Sequence, residues 1–480
     1  MVRTFEQLLV GGSWAPPRST ATIEVVEAHT EQVMARVPDA GPEDVDVAVR
    51  AARQAFDDES GWSTSPLDDR IEALERIIAG MEARFDELAG IVTSETGCTL
   101  GFSRLGQVGA PIDTMRSFIE VARANPSEQR RDGRYLPWVL RREPVGVVGA
   151  VVAWNVPLVL IATKLAPALL AGCTIVLKVA PEASLDAMVL AEIIEAAGLP
   201  SGVVSVLTGG VAAGKALVAH PGVDKVAFTG SAAAGRSIAE ECGRQLKRVG
   251  LELGGKSATI VLDDADLDAL GSGLRYTSFM NNGQACAAQT RVLAPAARYE
   301  EVVDVVASTA AGLRVGDPFT KGTAIGPVVS ARQRDRVRGY IDLGVEEGAR
   351  LVTGGSASPP GLDTGWYVQP TVFADVTNQM RVAREEIFGP VLVVLPYDDV
   401  DDAVRIANDS EYGLAGSVWT TDTDRGLDVG RRIRTGTFGI NGYAPDPLMP
   451  FGGFKASGIG REWGEAGLDE YVELKGISGM

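Results

Sequence analysis

Between Val145 and Leu246 the sequence alternates short apolar runs with segments of helical period, and this alternation restricts the fold more than any other feature. Each apolar run has the length of a buried strand. The first helix is predicted to open at Pro157 and to be closed by Gly172. Regular alternation implies a parallel sheet with helices on both faces, a doubly wound domain that binds ligands at the carboxyl ends of its strands. The predicted strands are VGVVGAVVAW (145–154), CTIVLKV (173–179), VVSVLTG (203–209) and DKVAFTG (224–230).

A second alternation after Ser257 predicts a second α/β domain. Two longer helical segments near the N-terminus, 42–56 and 66–90, are expected to pack on the first domain. The elements predicted for the second domain are the strands ATIVL (258–262), TRVLAP (290–295), PVLVVLPYD (390–398) and GLAGSVWT (413–420), and helices over 267–281 and 299–313.

Composition narrows the possible partners of the chain. Its 480 residues carry a formal net charge of −18, which repels polyanions, so neither nucleic acid nor an anionic membrane is an expected partner. The start of the chain lacks the pattern of a secretory signal, and a cytoplasmic location is expected. With 45% hydrophobic residues and no long apolar run, the chain resembles an ordinary globular protein of two or three domains.

Cysteine and histidine usage excludes two kinds of catalytic site. The four cysteines lack C-x-x-C spacing, which argues against a disulfide framework and a zinc site. The two histidines, His29 and His220, have neither a second ligand at helical spacing nor a nucleophile beside them. No metal site is therefore expected, and a Ser-His-Asp triad lacks its parts.

The stretch GLELGGKS, residues 250–257, matches the spacing of a nucleotide phosphate loop. Such a loop needs a helix directly after its glycine turn, so that backbone N–H groups and the helix dipole face the phosphates. Here residues 258–262 are short, β-branched and apolar, and they predict a strand instead. The motif is therefore expected between two strands, and the charged Glu252 within it needs another explanation.

Cys286 differs from the other three cysteines in its surroundings. A free cysteine is usually a small buried hydrophobe, and that interpretation is preferred for Cys98, Cys173 and Cys242. In NNGQACAAQ, however, Cys286 lies between Ala285 and Ala287, after a glycine and polar residues, which leaves its sulfur open to approach.

Five segments in register resemble the aldehyde dehydrogenase superfamily, and the resemblance covers nearly the whole chain. Together they are far more specific than any one of them. The segments are AWNVPL (153–158), GLELGGKS (250–257), GQAC (283–286), EEIFGPV (385–391) and PFGGFKASGIGRE (450–462).

The resemblance implies three catalytic residues, and the chemistry agrees with it. An aldehyde releases hydride only after a nucleophile has added to its carbon, and a thiolate such as that of Cys286 suits this step. The Asn155 amide and the Cys286 N–H match the family's oxyanion donors. Glu252 resembles the general base that directs water at the thioester, and its presence favours hydrolysis over transfer to coenzyme A.

The resemblance also implies NAD as cofactor, with NADP possible. Many NAD-preferring members carry glutamate where this chain has Pro181, with Glu182 one position later. Glu462 matches a carboxylate that assists proton movement in some members, and Lys164 a lysine near the active site. The residues implied are Trp154 and Lys178 on the adenosine side, Gly230, Ser231 and Gly235 at the pyrophosphate, and Glu386 and Phe388 at the nicotinamide ribose.

The substrate is expected to be a small-molecule aldehyde of apolar character, aliphatic, aromatic or terpenoid. Val156, Leu160 and Thr163 share a helix face that lines the substrate tunnel in the family. This set contains neither Arg nor Lys to hold a second carboxylate. The remaining tunnel positions implied by the resemblance are Ala285, Ala287 and Phe451.

The fold class that follows is α/β, with two doubly wound domains, a Rossmann-like cofactor domain and a catalytic domain, plus a small β oligomerisation arm. RRDGRYLPWVLRREP and DEYVELKG would be exposed edge strands in a monomer, so a homodimer or homotetramer is expected. The predicted segments are 1–122 and 143–254 for the cofactor domain, 123–142 for the arm, 255–452 for the catalytic domain, and 453–480 for the C-terminal segment with the oligomerisation strand.

Two other hypotheses stay open at this point. A P-loop nucleotide hydrolase is disfavoured by the strand context and by the lack of an acidic Mg²⁺ partner in register. A family member that has lost catalysis and serves a structural role is disfavoured by the joint presence of Asn155, Glu252 and Cys286.

Overall fold

The structure is a computed structural model that describes residues 2–479. Among these residues the chain forms four β-sheets and sixteen α-helices. The strands are β1 (Arg3–Thr4), β2 (Leu8–Val10), β3 (Ser13–Ala15), β4 (Thr22–Val26), β5 (Val33–Pro38), β6 (Glu128–Asp132), β7 (Pro137–Pro144), β8 (Val147–Val151), β9 (Thr174–Val179), β10 (Val204–Thr208), β11 (Lys225–Thr229), β12 (Arg248–Glu252), β13 (Ala258–Val261), β14 (Arg291–Pro295), β15 (Arg350–Thr353), β16 (Thr371–Ala374), β17 (Val391–Tyr397), β18 (Gly416–Trp419), β19 (Gly439–Ile440), β20 (Gly458–Ile459) and β21 (Val472–Ser478). The helices are α1 (Pro42–Asp57), α2 (Leu67–Ala83), α3 (Phe85–Thr96), α4 (Leu100–Phe102), α5 (Ala110–Ala124), α6 (Pro157–Ala171), α7 (Leu185–Ala196), α8 (Val211–Ala219), α9 (Ala232–Gln245), α10 (Leu267–Thr277), α11 (Tyr299–Ala311), α12 (Ala331–Glu346), α13 (Arg381–Arg384), α14 (Val400–Asn408), α15 (Thr423–Arg432) and α16 (Gly464–Asp469).

The strands of the two predicted strand–helix alternations form two large sheets, and the α/β fold class is confirmed. The first sheet has the order β20-β12-β11-β8-β9-β10-β2-β3, in which β12, β11, β8, β9 and β10 run parallel. The second sheet has the order β15-β16-β17-β14-β13-β18-β19. We propose these sheets as the centres of the predicted cofactor and catalytic domains, with the segment boundaries given above.

The first helix of the alternation begins and ends at the predicted residues. Pro157 opens α6, and Gly172 closes it at φ 94°, where its N–H is donated to the carbonyls of Ala168 and Leu169. A residue with a left-handed backbone at this position is commonly glycine, which has no Cβ to clash. Helix α6 packs against β9 and against α2, α5 and α7, so that nearly all of its side chains are buried. It thereby fixes the loop at its N-terminal end.

The segment GLELGGKS, residues 250–257, connects the two large sheets and forms the crossing between them. Its first residues complete β12 in the first sheet, and the next strand, β13, belongs to the second. The predicted strand context is confirmed, and the helix that a phosphate loop needs does not follow here within the described chain. Glu252 is the last residue of β12 and lies where the sheets meet.

Two helix predictions were wrong in extent. The segment 66–90 is two helices rather than one, because the chain leaves helical geometry at Arg84, whose guanidinium pairs with Glu87 and with Glu192 of α7. Helix α10 ends at Thr277 rather than at Asn281, since Asn281 and its neighbour adopt left-handed conformations in the turn that follows. Asparagine tolerates that conformation better than most residues.

The segments predicted as edge strands form a three-stranded antiparallel sheet of order β21-β7-β6. Large apolar side chains on it remain exposed, among them Tyr135, Trp138 and Leu474. Each outer strand, β6 and β21, has one neighbour within residues 2–479. None of the helices described has both the length and the apolar character needed to cross a bilayer.

A substitution at Gly97 tests the close contact between the end of α3 and Pro327. It ends α3 at φ 75°, and a Cβ there would lie 2.1 Å from the carbonyl oxygen of Pro327. Gly198 has a similar φ of 65° but open space around its Cβ position. We expect Gly198→Ala to cost about 1 kcal/mol of unfolding free energy through backbone strain, and Gly97→Ala about 1–3 kcal/mol more through the clash. Equal losses for the two variants in denaturant unfolding would contradict this packing.

Candidate active site

The three predicted catalytic residues lie at the carboxyl ends of strands or in the adjoining loop, and the structure brings them together. Asn155 follows β8, Glu252 ends β12, and Cys286 lies in the loop before β14. The Asn155 side-chain amide donates to the carbonyl of Gln284 at 3.1 Å. A Cβ on Gly255 would lie 2.4 Å from the carbonyl oxygen of Cys286. Only glycine therefore lets the crossing approach the cysteine this closely.

Asn155 is held by residues that the sequence analysis missed. Its backbone carbonyl accepts from Gln107 Nε2 at 3.0 Å and from Asn281 Nδ2 at 2.8 Å. Gln107 belongs to a π-helical segment, Ser103–Gly109, between α4 and α5. Such segments are rare and often occur at functional sites. The buried amides of Gln107 and Asn281 fix the backbone from which the Asn155 side chain projects.

Cys286 is the most accessible of the four cysteines. It is half-buried, whereas Cys98, Cys173 and Cys242 are fully buried. Burial, with added repulsion from Glu252 and Glu386, raises the pKa of the Cys286 thiol to about 12, although the N–H groups of Ala287 and Cys286 favour the thiolate. The resting group is therefore a thiol, and attack on a carbonyl requires that its proton be removed.

Glu252 has the environment of a carboxyl that binds its proton more tightly than an exposed one. It is 5% exposed, and its Oε2 has no hydrogen-bond partner among the described residues. Its Oε1 lies close to Gly452, where a Cβ would be 2.7 Å away. Burial and then the charge of Glu462 raise the pKa of Glu252 well above its usual range, opposed by Lys164. Such a shift suits a general base.

A buried ion pair lies next to the Glu252 carboxyl. Lys164 Nζ contacts Glu462 Oε1 at 2.6 Å and Thr229 Oγ1 at 2.9 Å, and the lysine is fully buried. Lys164 lies on α6 and Glu462 just before α16, so the pair also ties these elements together.

The predicted pyrophosphate turn lies where β11 runs into α9. Ser231 is the N-cap of α9 and accepts from the N–H of Ala234 at 3.3 Å. Gly230 donates its N–H to the Glu252 carbonyl at 3.0 Å, and a Cβ on Gly235 would lie 2.6 Å from Leu253. The exposed N-terminus of a helix directly after a parallel strand is suited to phosphate groups.

Glu386 and Phe388 lie beside the crossing between the sheets. Glu386 Oε1 accepts from the Gly255 N–H at 3.0 Å, and a Cβ on Gly254 would lie 2.5 Å from Glu386 Oε2. Phe388 packs edge-on against Trp154 with ring centres 5.4 Å apart. Trp154, predicted for the adenosine side, thus shares a surface with Phe388, predicted for the nicotinamide ribose.

Lys178 is the last predicted cofactor residue. It lies in β9 and is buried. Burial lowers its pKa to about 8, opposed by the charges of Glu182 and Asp39. Glu182, one position beyond Pro181, therefore lies close enough to Lys178 to affect its charge.

The predicted tunnel residues occupy the N-terminal part of α6 and the cysteine loop. Leu160 and Thr163 are buried within α6, and Val156 precedes it half-buried. The alanines 285 and 287 flank Cys286 and are half-buried. Phe451 packs against Trp463 at 5.0 Å, in a groove of about 630 Å³ that also contains Tyr443 and Met449. The sequence analysis missed Tyr443, Met449 and Trp463.

Alkylation measures the proton affinity of Cys286 directly. We expect iodoacetamide to modify Cys286 first, with a rate that keeps rising to about pH 10 rather than levelling off near a usual pKa of about 8.5. Glu252→Gln removes a repelling charge, so the apparent pKa should fall. Intact-mass spectrometry across this pH range gives both profiles.

Glu465→Gln, which alters an exposed carboxylate paired with Arg142, should leave the profile unchanged. A wild-type plateau near pH 8, or the same profile in Glu252→Gln, would contradict this electrostatic account.

Comparison with known proteins identifies the family. The model of the aldehyde dehydrogenase family matches residues 14–477. Geranial dehydrogenase of Castellaniella defragrans is 48% identical over 473 residues, covering 98% of this chain and 98% of that protein. The 3-succinoylsemialdehyde-pyridine dehydrogenase of a Pseudomonas species is 42% identical over 483 residues, with 100% and 99% covered.

Solved structures agree with this assignment over the whole fold. The aldehyde dehydrogenase of Mycobacterium tuberculosis, complexed with NAD+, superposes with a TM-score of 0.97 at 47% identity, covering 99% of this chain and 98% of that one. A mutant of aldehyde dehydrogenase C from Pseudomonas syringae, complexed with NAD+ and octanal, gives 0.95 at 40% identity, covering 98% and 96%. The predicted enzyme class is confirmed, and this chain belongs to the aldehyde dehydrogenase family.

Proposed function

We propose that this protein oxidises hydrophobic aldehydes to carboxylic acids with NAD, through a covalent thioester on Cys286. The observation that carries the proposal is the convergence of three groups: a half-buried thiol, a buried carboxyl of raised pKa at Glu252, and the amide of Asn155, whose backbone carbonyl accepts from two buried side chains. These are a nucleophile, a base and an oxyanion donor.

The first half of the reaction forms a bond between Cys286 and the aldehyde. Glu252 takes the proton of the thiol, the sulfur adds to the carbonyl carbon, and the electron pair of the carbonyl double bond moves to the oxygen, which becomes an oxyanion. The Asn155 amide and the Cys286 N–H are its proposed donors, since neither has to reorganise as charge develops. Loss of hydride from this adduct leaves a thioester.

The second half hydrolyses the thioester. Glu252 takes a proton from water, the water oxygen bonds to the thioester carbon, and the carbon–sulfur bond breaks to return the Cys286 thiolate. Because Glu252 Oε2 has no other partner among residues 2–479, this oxygen is free to accept the proton. A pKa raised by burial makes the carboxylate a stronger base than an exposed one.

The residues described fit a dinucleotide. Bound NAD supplies the hydride acceptor. Gly230, Ser231 and the N-terminus of α9 would hold its phosphates, and Glu386 would hold a ribose hydroxyl beside the glycines that admit it. The acidic Glu182 near Lys178 disfavours the extra phosphate of NADP, so we infer a preference for NAD.

Several observations support an apolar substrate. The groove at Phe451 is walled by aromatic and aliphatic side chains, with Tyr443, Met449 and Trp463 beside Phe451. Small residues flank Cys286 and leave room for a branched or long chain. One similar protein is named a geranial dehydrogenase, and a mutant of another was crystallised with octanal.

We infer a homodimer or homotetramer located in the cytoplasm. The free edges of β6 and β21 and the exposed apolar side chains of the three-stranded sheet support pairing between subunits.

Stopped-flow absorbance of NADH tests the proposed function. We expect turnover of octanal and citral and much slower turnover of succinic semialdehyde, because the tunnel lacks a cation for the carboxylate. Cys286→Ala should form no NADH, and Glu252→Gln at most one equivalent before stalling. Asn155→Ala should slow the burst about 10²–10³-fold.

The outcomes separate the mechanism from the substrate class. A full rate in Cys286→Ala, or steady turnover in Glu252→Gln, would refute the thioester mechanism. Faster oxidation of succinic semialdehyde than of octanal would leave the mechanism intact and refute the apolar substrate.

A further inference from the structure

A small cavity borders Glu252 together with polar groups that the mechanism above does not use. Its volume is about 10 Å³, which is the space that about one water molecule requires. Glu252 and Glu462 lie on its wall together with Lys225, Glu470 and Tyr471. These side chains come from β11, β12, the loop after β20 and the end of α16.

Lys225 and Glu470 form an ion pair inside this region. Lys225 Nζ lies 2.8 Å from Glu470 Oε2, and the lysine side chain is 1% exposed. The ammonium also lies over the Tyr471 ring at 5.1 Å from its centre. The glutamate differs from its partner, because 28% of its side-chain surface is exposed. One carboxylate therefore contacts both the cavity wall and solvent.

Gly460 lies directly beside the Glu470 carboxylate. A Cβ on Gly460 would lie 2.8 Å from Glu470 Oε1. Gly460 follows β20, which pairs with β12 at Glu252. The pair therefore lies against the strands that carry the base, although an ion pair of this kind by itself adds little stability.

The proposed reaction requires a route of this kind. The first half of the reaction leaves the thiol proton on Glu252, and this carboxyl must return to its ionised form before it can take a proton from water in the second half. Glu252 is 5% exposed, so direct loss to bulk solvent is restricted. Glu462 also borders the cavity, but it is bound to Lys164 and 14% of its side-chain surface is exposed, against 28% for Glu470.

We propose that Glu470, held in place by Lys225, passes the proton released at Glu252 from this cavity to solvent. In the step, Glu252–COOH gives its proton through a water molecule in the cavity to the Glu470 carboxylate, which releases it outside, and Glu252 returns to the carboxylate. The charged groups around Glu470 are Lys225 from β11, Arg461 and Glu462 from the loop after β20, and Glu252 from β12; the neutral Tyr471 completes the wall. This inference rests on the proposed hydrolytic function.

Glu470→Gln tests the route, with Glu465→Gln as a matched control that lies on the adjoining helix but not on the cavity wall. We expect the NADH burst with octanal to keep its rate and amplitude, because hydride transfer precedes hydrolysis. Decay of the acyl-enzyme, followed by quenched flow and intact mass, should slow about tenfold, well within what positioned proton-transfer groups contribute. Added imidazole should restore the rate in Glu470→Gln and have no effect in wild type.

A second variant separates proton transfer from the unpaired lysine that Glu470→Gln leaves behind. Lys225→Met/Glu470→Leu replaces the pair with apolar side chains of similar volume, which proteins often tolerate. Slow decay that imidazole restores in both variants supports the route. Normal decay in the double variant, normal decay in Glu470→Gln, or a loss that imidazole does not change would overturn it. Absence of any NADH burst in wild type would instead refute the proposed function.

Discussion

The rest of the site depends on one constraint, the close approach between the crossing (residues 250–257) and the loop that carries Cys286. Gly254 and Gly255 leave space for the Glu386 carboxylate and for the Cys286 carbonyl, at distances that no side chain permits. The same crossing ends β12 at Glu252 and begins β13 in the other sheet. Groups from the two sheets are thereby held within reach of each other.

Electrostatics at the site follows from that proximity. Burial and the charge of Glu462 raise the pKa of Glu252, while burial and the charges of Glu252 and Glu386 raise the pKa of the Cys286 thiol. Lys164 opposes this repulsion at Glu252, while the N–H groups of the cysteine loop oppose it at the sulfur. The resting site therefore holds a neutral thiol, which limits oxidation and alkylation of the nucleophile.

The sequence predicted those elements and residues whose structure depends on their neighbours in the chain. Helix α6 was predicted to the residue at both ends, because proline and glycine at those positions have local causes. Cys286 stood out by its small neighbours. The break at Arg84 depends on Glu192 more than one hundred residues away, and Gln107 reaches Asn155 because a π-helical segment shifts its register. Neither long-range effect has a local signature in the sequence.

The site also shows where this fold gives up stability for chemistry. Buried polar groups are usually hydrogen-bonded, yet Glu252 Oε2 and Lys256 Nζ, the latter with its pKa lowered to about 7, have no partner within residues 2–479. Both belong to the crossing, with Gly254 and Gly255 between them. A partner for Glu252 would stabilise the resting carboxyl, but it would occupy the oxygen that must accept a proton from water. The unpaired oxygen of Glu252 therefore costs stability in the resting protein, and it is the oxygen that the proposed reaction uses.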